Sequence, residues 1–411
     1  MPYLNFDINR FGCERIRQPW DWVMVRIFND FINWILISQC GVSLVCFKLC
    51  CGNLFDKEAI FRWVRVATKR NVQELVLSFC PTETFELPYC VASCESLRIL
   101  KLQLPNHMGF SQLKLLHLEE VELWNEHLTS CLFAKCPVLE KLILEECTFG
   151  TMTLLDISST SLVYMSLQCY GGENDEIYRN CSIKISCPNL KFLKYGAPMA
   201  KDIIIKNLFS IEVVDIFFYF PCGSVEEVGM LVHKMIKNVP STLALDLCMG
   251  SVSGLHSVSH QLRNFQVTFY KLKSLKLTVG IDESWMQVMM LLLKYSPNLE
   301  VLSLFSDEND DWDENWKLHD PSESIVCLES HLKLIKLAGF KTEENEMDLL
   351  RFFLKNAQVL EKLVVVWDSY RAISEEASEE ILKFPRTSSN VVVTFLDFNL
   401  KSRSRYPHNI D

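Results

Sequence analysis

The sequence predicts an α/β solenoid in which short parallel strands alternate with helices. Three observations carry this expectation: a brief apolar frame that recurs twelve times, a spacing of mostly 23–28 residues between recurrences, and helix-start signals between the frames. At 411 residues the chain exceeds one ordinary hydrophobic core. A repeat resolves that difficulty, because each unit buries its apolar face against its neighbours alone.

The frame reads apolar, two variable residues, apolar, one variable residue, apolar. It appears as Leu44-Phe47-Leu49, Val72-Leu75-Leu77, Leu97-Leu100-Leu102, Leu113-Leu116-Leu118, Leu139-Leu142-Leu144 and Leu162-Met165-Leu167. It continues as Leu190-Leu193-Tyr195, Ile211-Val214-Ile216, Leu272-Leu275-Leu277, Leu299-Leu302-Leu304, Leu332-Ile335-Leu337 and Leu360-Leu363-Val365. The step is 28 residues from Leu49 to Leu77, 25 to Leu102, 26 from Leu118 to Leu144, 23 to Leu167 and 28 to Tyr195. These values fall in the range of leucine-rich repeats, about 20–29 residues. Three steps depart from it: 16 (Leu102 to Leu118), 33 (Leu304 to Leu337) and 61 (Ile216 to Leu277). The longest is read as two repeats with a degenerate strand at Leu243–Leu247.

The last two apolar residues of each frame lie two apart, so they share one face of a strand. Stacked strands form a parallel sheet, and the expected shape is a horseshoe with strands on the concave face and helices on the convex face. Ser224-Val225-Glu226-Glu227 is a capping box at a helix start, followed by the apolar stripe Val228, Leu231, Val232, Met235 and Ile236. Asp56 is expected to cap a second helix with Ile60, Val64 and Ala67 inward. A third is expected over 343–354, acidic in its first turn and followed by Lys355, as the helix dipole favours. A helix over 374–382 and a strand over 391–395 would close the last repeat.

Composition narrows the function classes. With 49% hydrophobic and 22% charged residues the chain is expected to fold and not to be disordered. A net charge of −10 lacks the basic face that displaces counterions, so nucleic acid is not an expected partner. The 17 cysteines do not suggest a disulfide framework, which belongs to short secreted chains, and the start Met1–Asp7 has no signal-peptide pattern. Cys94, Cys136, Cys187 and Cys327 sit in apolar patterns as small buried hydrophobes. The expected setting is cytoplasmic or nuclear, with reduced thiols and no glycan on Asn180-Cys181-Ser182. The apolar stretch 31–49 approaches membrane-spanning length, but it holds Asn33, Ser38, Gln39 and Ser43 and its second half fits the repeat. No membrane association is expected.

Several stretches together resemble the plant F-box/FBD/LRR-repeat family. In the first part these are Phe11–Gln18, Phe61–Val64, Lys69–Leu75, Phe85–Pro88, Cys94–Leu102 and Cys136–Glu140. Toward the C-terminus they are Cys327–Lys333, Gly339-Phe340, Asn345–Met347, Phe353–Ala357, Val359–Leu363 and Phe384–Ser389. The resemblance implies an N-terminal segment over 1–41, leucine-rich repeats over 42–320, an FBD region of final repeats and cap over 321–400, and a flexible tail over 401–411. It also implies the substrate-binding arm of an SCF-type ubiquitin ligase. No F-box is recognisable before Phe11, and this leaves two alternatives, an F-box-less, ligase-silent binding protein or a truncated gene product. A small-molecule-sensing receptor is a further alternative.

No enzyme motif is present: there is no phosphate-cradling glycine loop, no G-x-S-x-G elbow and no kinase signature. His256 and His260 stand four apart, as two zinc ligands on a helix would, but lack the Glu of H-E-x-x-H. Cys46, Cys50, Cys51, Cys90 and Cys94 match no paired zinc spacing, and the acidic run 307–314 lacks the central glycine of a calcium loop. No metal or cofactor is expected. Trp312 within that run and Trp316 just after it are the aromatics that stand out as partner anchors. The function expected is protein binding by a monomer to an unidentified protein target. The candidate surface is Gln73, Glu74, Arg98, Lys101, Lys114, His117, Glu140, Lys141, Lys273, Lys276, Glu300 and Ser303, the variable positions inside the frames.

Overall fold

The computed structural model describes residues 3–8, 22–39, 41–52, 56–79, 89–92, 94, 96–102, 112–119, 123, 136–149, 152–168, 180–196, 200–218, 224–262, 267–279, 284–306, 324–368 and 374–397. The acidic run with Trp312, Trp316 just after it, the Phe11–Gln18 and Phe85–Pro88 motifs and the tail 401–411 lie outside the described residues. The chain divides into two compact units, Met1–Ser210 and Ile211–Asp411. Both are mixed α/β, built on parallel strands.

In the first unit, β1 (Tyr3–Asp7), β2 (Cys46–Gly52), β3 (Glu74–Phe79), β4 (Ile99–Leu102), β5 (Leu115–Glu119), β6 (Lys141–Glu145), β8 (Tyr164–Gln168) and β10 (Phe192–Gly196) pair in that order. The register follows the frames: Phe47, Leu75, Leu100, Leu116, Leu142, Met165 and Leu193 are successive partners, each at most 1% exposed. Leu49, Leu77, Leu118, Leu144, Leu167 and Tyr195 form a second buried row two residues on. The leading frame residues Leu44, Val72, Leu97, Leu113, Leu139, Leu162 and Leu190 are buried too. Each frame thus contributes three side chains to one core.

The helices come next. Asp56 accepts from the Glu58 and Ala59 amides at 3.0 and 3.3 Å and starts α2 (Lys57–Lys69). Ile60, Val64 and Ala67 are fully buried on its inner face, as the sequence leads one to expect. The chain before β2 holds a helix that the periodicity did not show, α1 (Trp22–Ser38). Its inner face buries Val25, Phe28, Ile32 and Leu36, while Val23, Ile27, Trp34 and Ile37 remain exposed. Asn33 Oδ1 accepts from Trp63 Nε1 at 2.8 Å, which satisfies a polar group inside the apolar stretch. That stretch is therefore a helix ending at Ser38 and a strand beginning at Cys46. No helix among the described residues is long and apolar enough to cross a membrane.

One expectation needs correction. Helices are expected on the side opposite the strands, but β7 (Leu154–Ser158), β9 (Ser182–Ser186) and β11 (Asp202–Lys206) stand between β6 and Val213 instead, in a second parallel sheet ordered β11-β9-β7. The cause is local. All three segments alternate buried and half-buried residues with period 2, and only Cys187–Lys191 separates β9 from β10, too short a link for a helix.

The second unit orders β12 (Val213–Ile216), β13 (Ala244–Leu247), β14 (Ser274–Val279), β15 (Val301–Ser306), β16 (Leu334–Phe340), β17 (Lys362–Trp367) and β18 (Val392–Leu396), again all parallel. β13 fills the long step in register, with Leu245 between Val214 and Leu275. Between these strands lie α4 (Val225–Lys237), α5 (Met249–Ser257), α6 (Ser259–Leu262), α7 (Ser284–Lys294), α8 (Val326–Ser330), α9 (Glu344–Asn356) and α10 (Glu375–Lys383); the short α3 (Tyr89–Ala92) belongs to the first unit. The expected capping box forms at α4: Glu227 N–H donates to Ser224 Oγ at 3.2 Å, and Ser224 N–H to Glu227 Oε2 at 3.0 Å.

Two glycines set local geometry here. Gly339 has φ +85 at the irregularity between Ala338 and Phe340, and a Cβ there would sit 3.0 Å from Ser306 Cβ. Gly229 of α4 faces Gly254 of α5 so closely that its Cβ would lie 2.0 Å from the Gly254 carbonyl oxygen. A methyl group has no flexible neighbour to displace at that crossing. Gly229→Ala is expected to destabilise the protein by roughly 2–4 kcal/mol, read as a lowered urea midpoint, whereas Met230→Ala on the exposed side of the same helix should change it little.

Candidate functional site: the open face of the strands

The covered face of each strand carries the frame leucines, so the other face is where variation is tolerated. Within a frame three variable positions remain. The first precedes the strand, and its carbonyl accepts two amides from the next repeat. Lys114 O accepts from Glu140 N at 2.9 Å and Lys141 N at 2.9 Å, and Lys273 O from Glu300 N at 3.0 Å and Val301 N at 2.9 Å. The second and third positions point to the open face, opposite the buried pair.

The structure sorts the candidate residues accordingly. Gln73, Arg98, Lys114, Glu140, Lys273 and Glu300 occupy the edge row before the strands; Glu74, Lys101, His117, Lys141, Lys276 and Ser303 occupy the open face. Along the edge row, Lys114 pairs with Glu140 and Lys273 with Glu300, each at 2.6 Å. The hydrogen bond from Lys273 lowers the Glu300 pKa. Both pairs are well exposed, so each contributes at most about 1 kcal/mol. Gln73 and Arg98 are exposed at the same edge.

On the open face of the first unit, Lys101 lies 4.0 Å from Glu74 on the neighbouring strand. His117 Nε2 is 2.9 Å from Glu145 Oε2, and Gln168 Nε2 donates to Glu145 Oε1 at 3.2 Å and to Ser166 Oγ at 2.7 Å. Ser166 is fully buried and Gln168 7% exposed, so this chain of polar groups is held in place and not merely solvated. Lys141 stands half-exposed beside it on β6.

On the second unit's open face, Lys276 pairs with Asp246 one strand away. Ser303 stands next to Lys276 in register, and Lys336 follows on β16. Asp246, Lys336, Glu145, Gln168 and Ser166 were not among the expected site residues. Asp246, Lys336 and Ser166 occupy the single-variable position of their frames and were readable from the pattern. Glu145 and Gln168 lie one residue past a frame, where the pattern carries no signal.

The open face closes at β17, where Val364 and Val366 are buried along with their covered-face neighbours Leu363 and Val365. Phe340 and Trp367 pack edge to face, ring centroids 5.3 Å apart. Beside them Glu346, 1% exposed, accepts from the Lys341 and Glu343 amides at 2.9 and 3.0 Å. Burial, with the Glu343 charge adding to it, outweighs these bonds and pushes its pKa up to about 7.

The helix holding His256 stops at Ser257 and Val258 caps it, so His256 and His260 do not share a helix face. No group of three or more His, Cys, Asp or Glu among the described residues is placed to hold a metal. Cys136, Cys187 and Cys327 are buried as expected, and burial pushes the thiols of Cys187 and Cys327 up to about 11 and about 12. Cys94 is only half-buried, its Sγ facing the Thr68 and Val72 carbonyls. A cavity of about 490 Å³ in the first unit is lined by Cys136, Pro137, Pro188 and hydroxyls such as Ser158, Thr160 and Ser186, with no charged side chain.

The class is mixed α/β on parallel strands in frame register, and comparison with known proteins shows what it resembles. The model for the LRR repeats of FBD-associated F-box protein At5g56370 matches residues 60–178, and the FBD model matches residues 320–365. Among Arabidopsis thaliana proteins, the putative FBD-associated F-box protein At3g50710 is 26% identical over 86% of this chain and 82% of its own length. The putative F-box/FBD/LRR-repeat protein At1g66290 is 28% identical over 89% of this chain and 81% of its own. The FBD-associated F-box protein At3g52670 is 26% identical over 95% and 85%. The chain is a homologue of the plant F-box/FBD/LRR-repeat proteins.

Glu346 supplies a test of the FBD region's electrostatics. A carboxyl whose folded pKa lies above its unfolded value stabilises the fold below the unfolded pKa and loses that contribution as pH rises through about 7. The wild type should therefore lose stability between about pH 5 and pH 8. Glu346→Gln, which retains the acceptor, should remove most of that decline and be more stable at the upper end by on the order of 1–3 kcal/mol, measured by urea titration across pH.

Proposed function

We propose that the chain is a protein-recognition module. In this reading it is a leucine-rich-repeat solenoid of horseshoe curvature whose open strand face is the concave one and holds a protein target. Residues 42–320 supply the repeats, 321–400 the final repeats and cap, 1–41 the lead-in and 401–411 a tail. One observation supports it above the others: the open face carries charged and polar residues, half-exposed on most strands and buried at Ser166, Gln168 and Lys194, while the covered face carries leucines. Such a face can vary without cost to the core, which is what a recognition surface requires.

The relatives are named as F-box/FBD/LRR-repeat proteins, and the substrate-binding arm of an SCF-type ubiquitin ligase is the role this suggests. No catalytic role is assigned to the chain, and the ligand is a protein, not a small molecule. The 490 Å³ cavity is lined by neutral hydroxyls and lies among β7 and β9, apart from the open face. The competing reading is a ligase-silent binder of the same targets.

The test is affinity purification from plant extract with three forms of the full chain. The wild type and a helix-side variant, Lys237→Glu/Lys294→Glu, should retain the same partner. The open-face variant Lys101→Glu/Lys141→Glu, folded by circular dichroism, should lose it. Equal retention by all three would overturn the recognition reading. In the same experiment, retention of the SCF adaptor subunit, with a full F-box relative as positive control, assigns the ligase arm; its absence from a folded chain assigns the ligase-silent binder.

A further inference from the structure

The open face of β13–β16 holds an arrangement that the repeat does not require. Asp246, Lys276, Ser303 and Lys336 stand in register on four successive strands. Phe305 follows Ser303 by two residues and so lies on the same face. Lys276 Nζ is 5.1 Å from the centroid of its ring and Lys336 Nζ is 5.2 Å from it. Two ammonium groups from the flanking strands thus converge on one aromatic ring.

Like charges this close repel, and each long side chain is free to swing into water. A cation–π contact worth about 0.5–1 kcal/mol at an accessible site offsets part of that repulsion. The two lysines differ in what else they have. Lys276 is paired with Asp246, whereas no described carboxylate lies within ion-pair distance of Lys336. Burial, and then the Lys276 charge, hold the Lys336 pKa below the ordinary lysine value. Lys336 is therefore a partly desolvated cation with no counter-charge among the described residues, on a protein whose net charge is −10. Lys333, just ahead of β16, and Lys362, at the start of β17, stand exposed and add to the local positive potential.

We propose that Lys276 and Lys336, set over Phe305, are the docking point for an acidic peptide segment of a partner protein, one Asp or Glu side chain lying between the two ammonium groups. This rests on the open-face recognition reading and names the chemistry of its partner. β14 and β16 are two strand spacings apart, about 9–10 Å, so a carboxylate centred above β15 reaches both nitrogens. The Ser303 hydroxyl lies beneath as a further donor, and the Phe305 ring offers apolar contact to the methylenes of the incoming side chain. An acidic protein would ordinarily repel an acidic segment; a local cationic patch selects for one that arrives in the right place.

The test uses the full chain with fluorescein-labelled hexaglutamate, and hexaglutamine as control, read by anisotropy at low salt. Hexaglutamate is expected to bind at least about tenfold more tightly, a difference of about 1.4 kcal/mol, and to weaken as salt is added. Lys336→Met and, as a second variant, Lys336→Gln should each weaken it about fivefold or more, while Lys48→Met on β2 leaves it unchanged. Carbodiimide should cross-link the peptide to Lys276 or Lys336. Equal binding of the two peptides, indifference to both Lys336 variants, or cross-links elsewhere would overturn the proposal. So would capture of a phosphoserine peptide but not of hexaglutamate, which assigns the patch to phosphate. A partner that is lost on Lys101→Glu/Lys141→Glu but survives Lys336→Glu removes this docking point and leaves the recognition reading standing.

Discussion

The strands from β2 to β17 in the main ladders share one requirement: apolar side chains two residues apart are buried level with those of the strand before. A slip by one residue would turn Leu142 and Leu144 to the open face and bring Lys141, Ile143 and Glu145 into the core. Burying the two charges without partners would cost several kcal/mol each, far more than a hydrogen-bonded ladder returns. The leading residue of each frame reinforces the register, since Leu97, Leu139 and Leu190 are buried just ahead of their strands. The carbonyl before each strand then fixes the next repeat by accepting two amides at once, as Lys333 O does from Glu361 and Lys362.

That requirement divides the molecule's labour. The covered face is chemically monotonous because it must be, and the inner sides of α2, α4 and α9 match it with buried aliphatic and aromatic residues. The open face is not required to carry leucines, so it holds other chemistry: the largely buried Glu145–Gln168–Ser166 chain, the Asp246–Lys276 pair and Lys336, which has no carboxylate partner among the described residues. Toward the C-terminus this freedom ends. Val364, Val366 and Trp367 are buried, and Glu346 is held beneath them at the cost of a raised pKa.

What could be read in advance follows from the same physics. The strands of the main ladders from β2 onward were legible because their buried pairs repeat, whereas β1, ahead of the first frame, was not; α2, α4 and α9 were legible from their caps and 3.6-residue stripes. β13 was legible only as a degenerate strand, since Leu245 and Leu247 lack the spaced leucine ahead of them. β7, β9 and β11 were not, because Leu155-Ile157, Ile183-Ile185 and Ile203-Ile205 lie between the counted frames and form a sheet of their own. α1 escaped because its apolar residues run around much of its circumference, leaving Trp34 and Ile37 exposed and blurring the stripe. The open-face residues inside the frames were readable from strand alternation. The convergence of Lys276 and Lys336 on Phe305 was not, since it joins three strands and a position outside the frame.

The division between a covered face that folds the chain and an open face that recognises a partner is tested most directly by lysine footprinting. Acetylation rates would be measured by mass spectrometry on the free chain and on the chain bound to its affinity-purified partner. The account predicts protection of open-face lysines such as Lys101, Lys141, Lys276 and Lys336, with Lys237, Lys294 and Lys355 on the helices unchanged. Protection confined to the helix lysines, with the open face labelled as before, would contradict it.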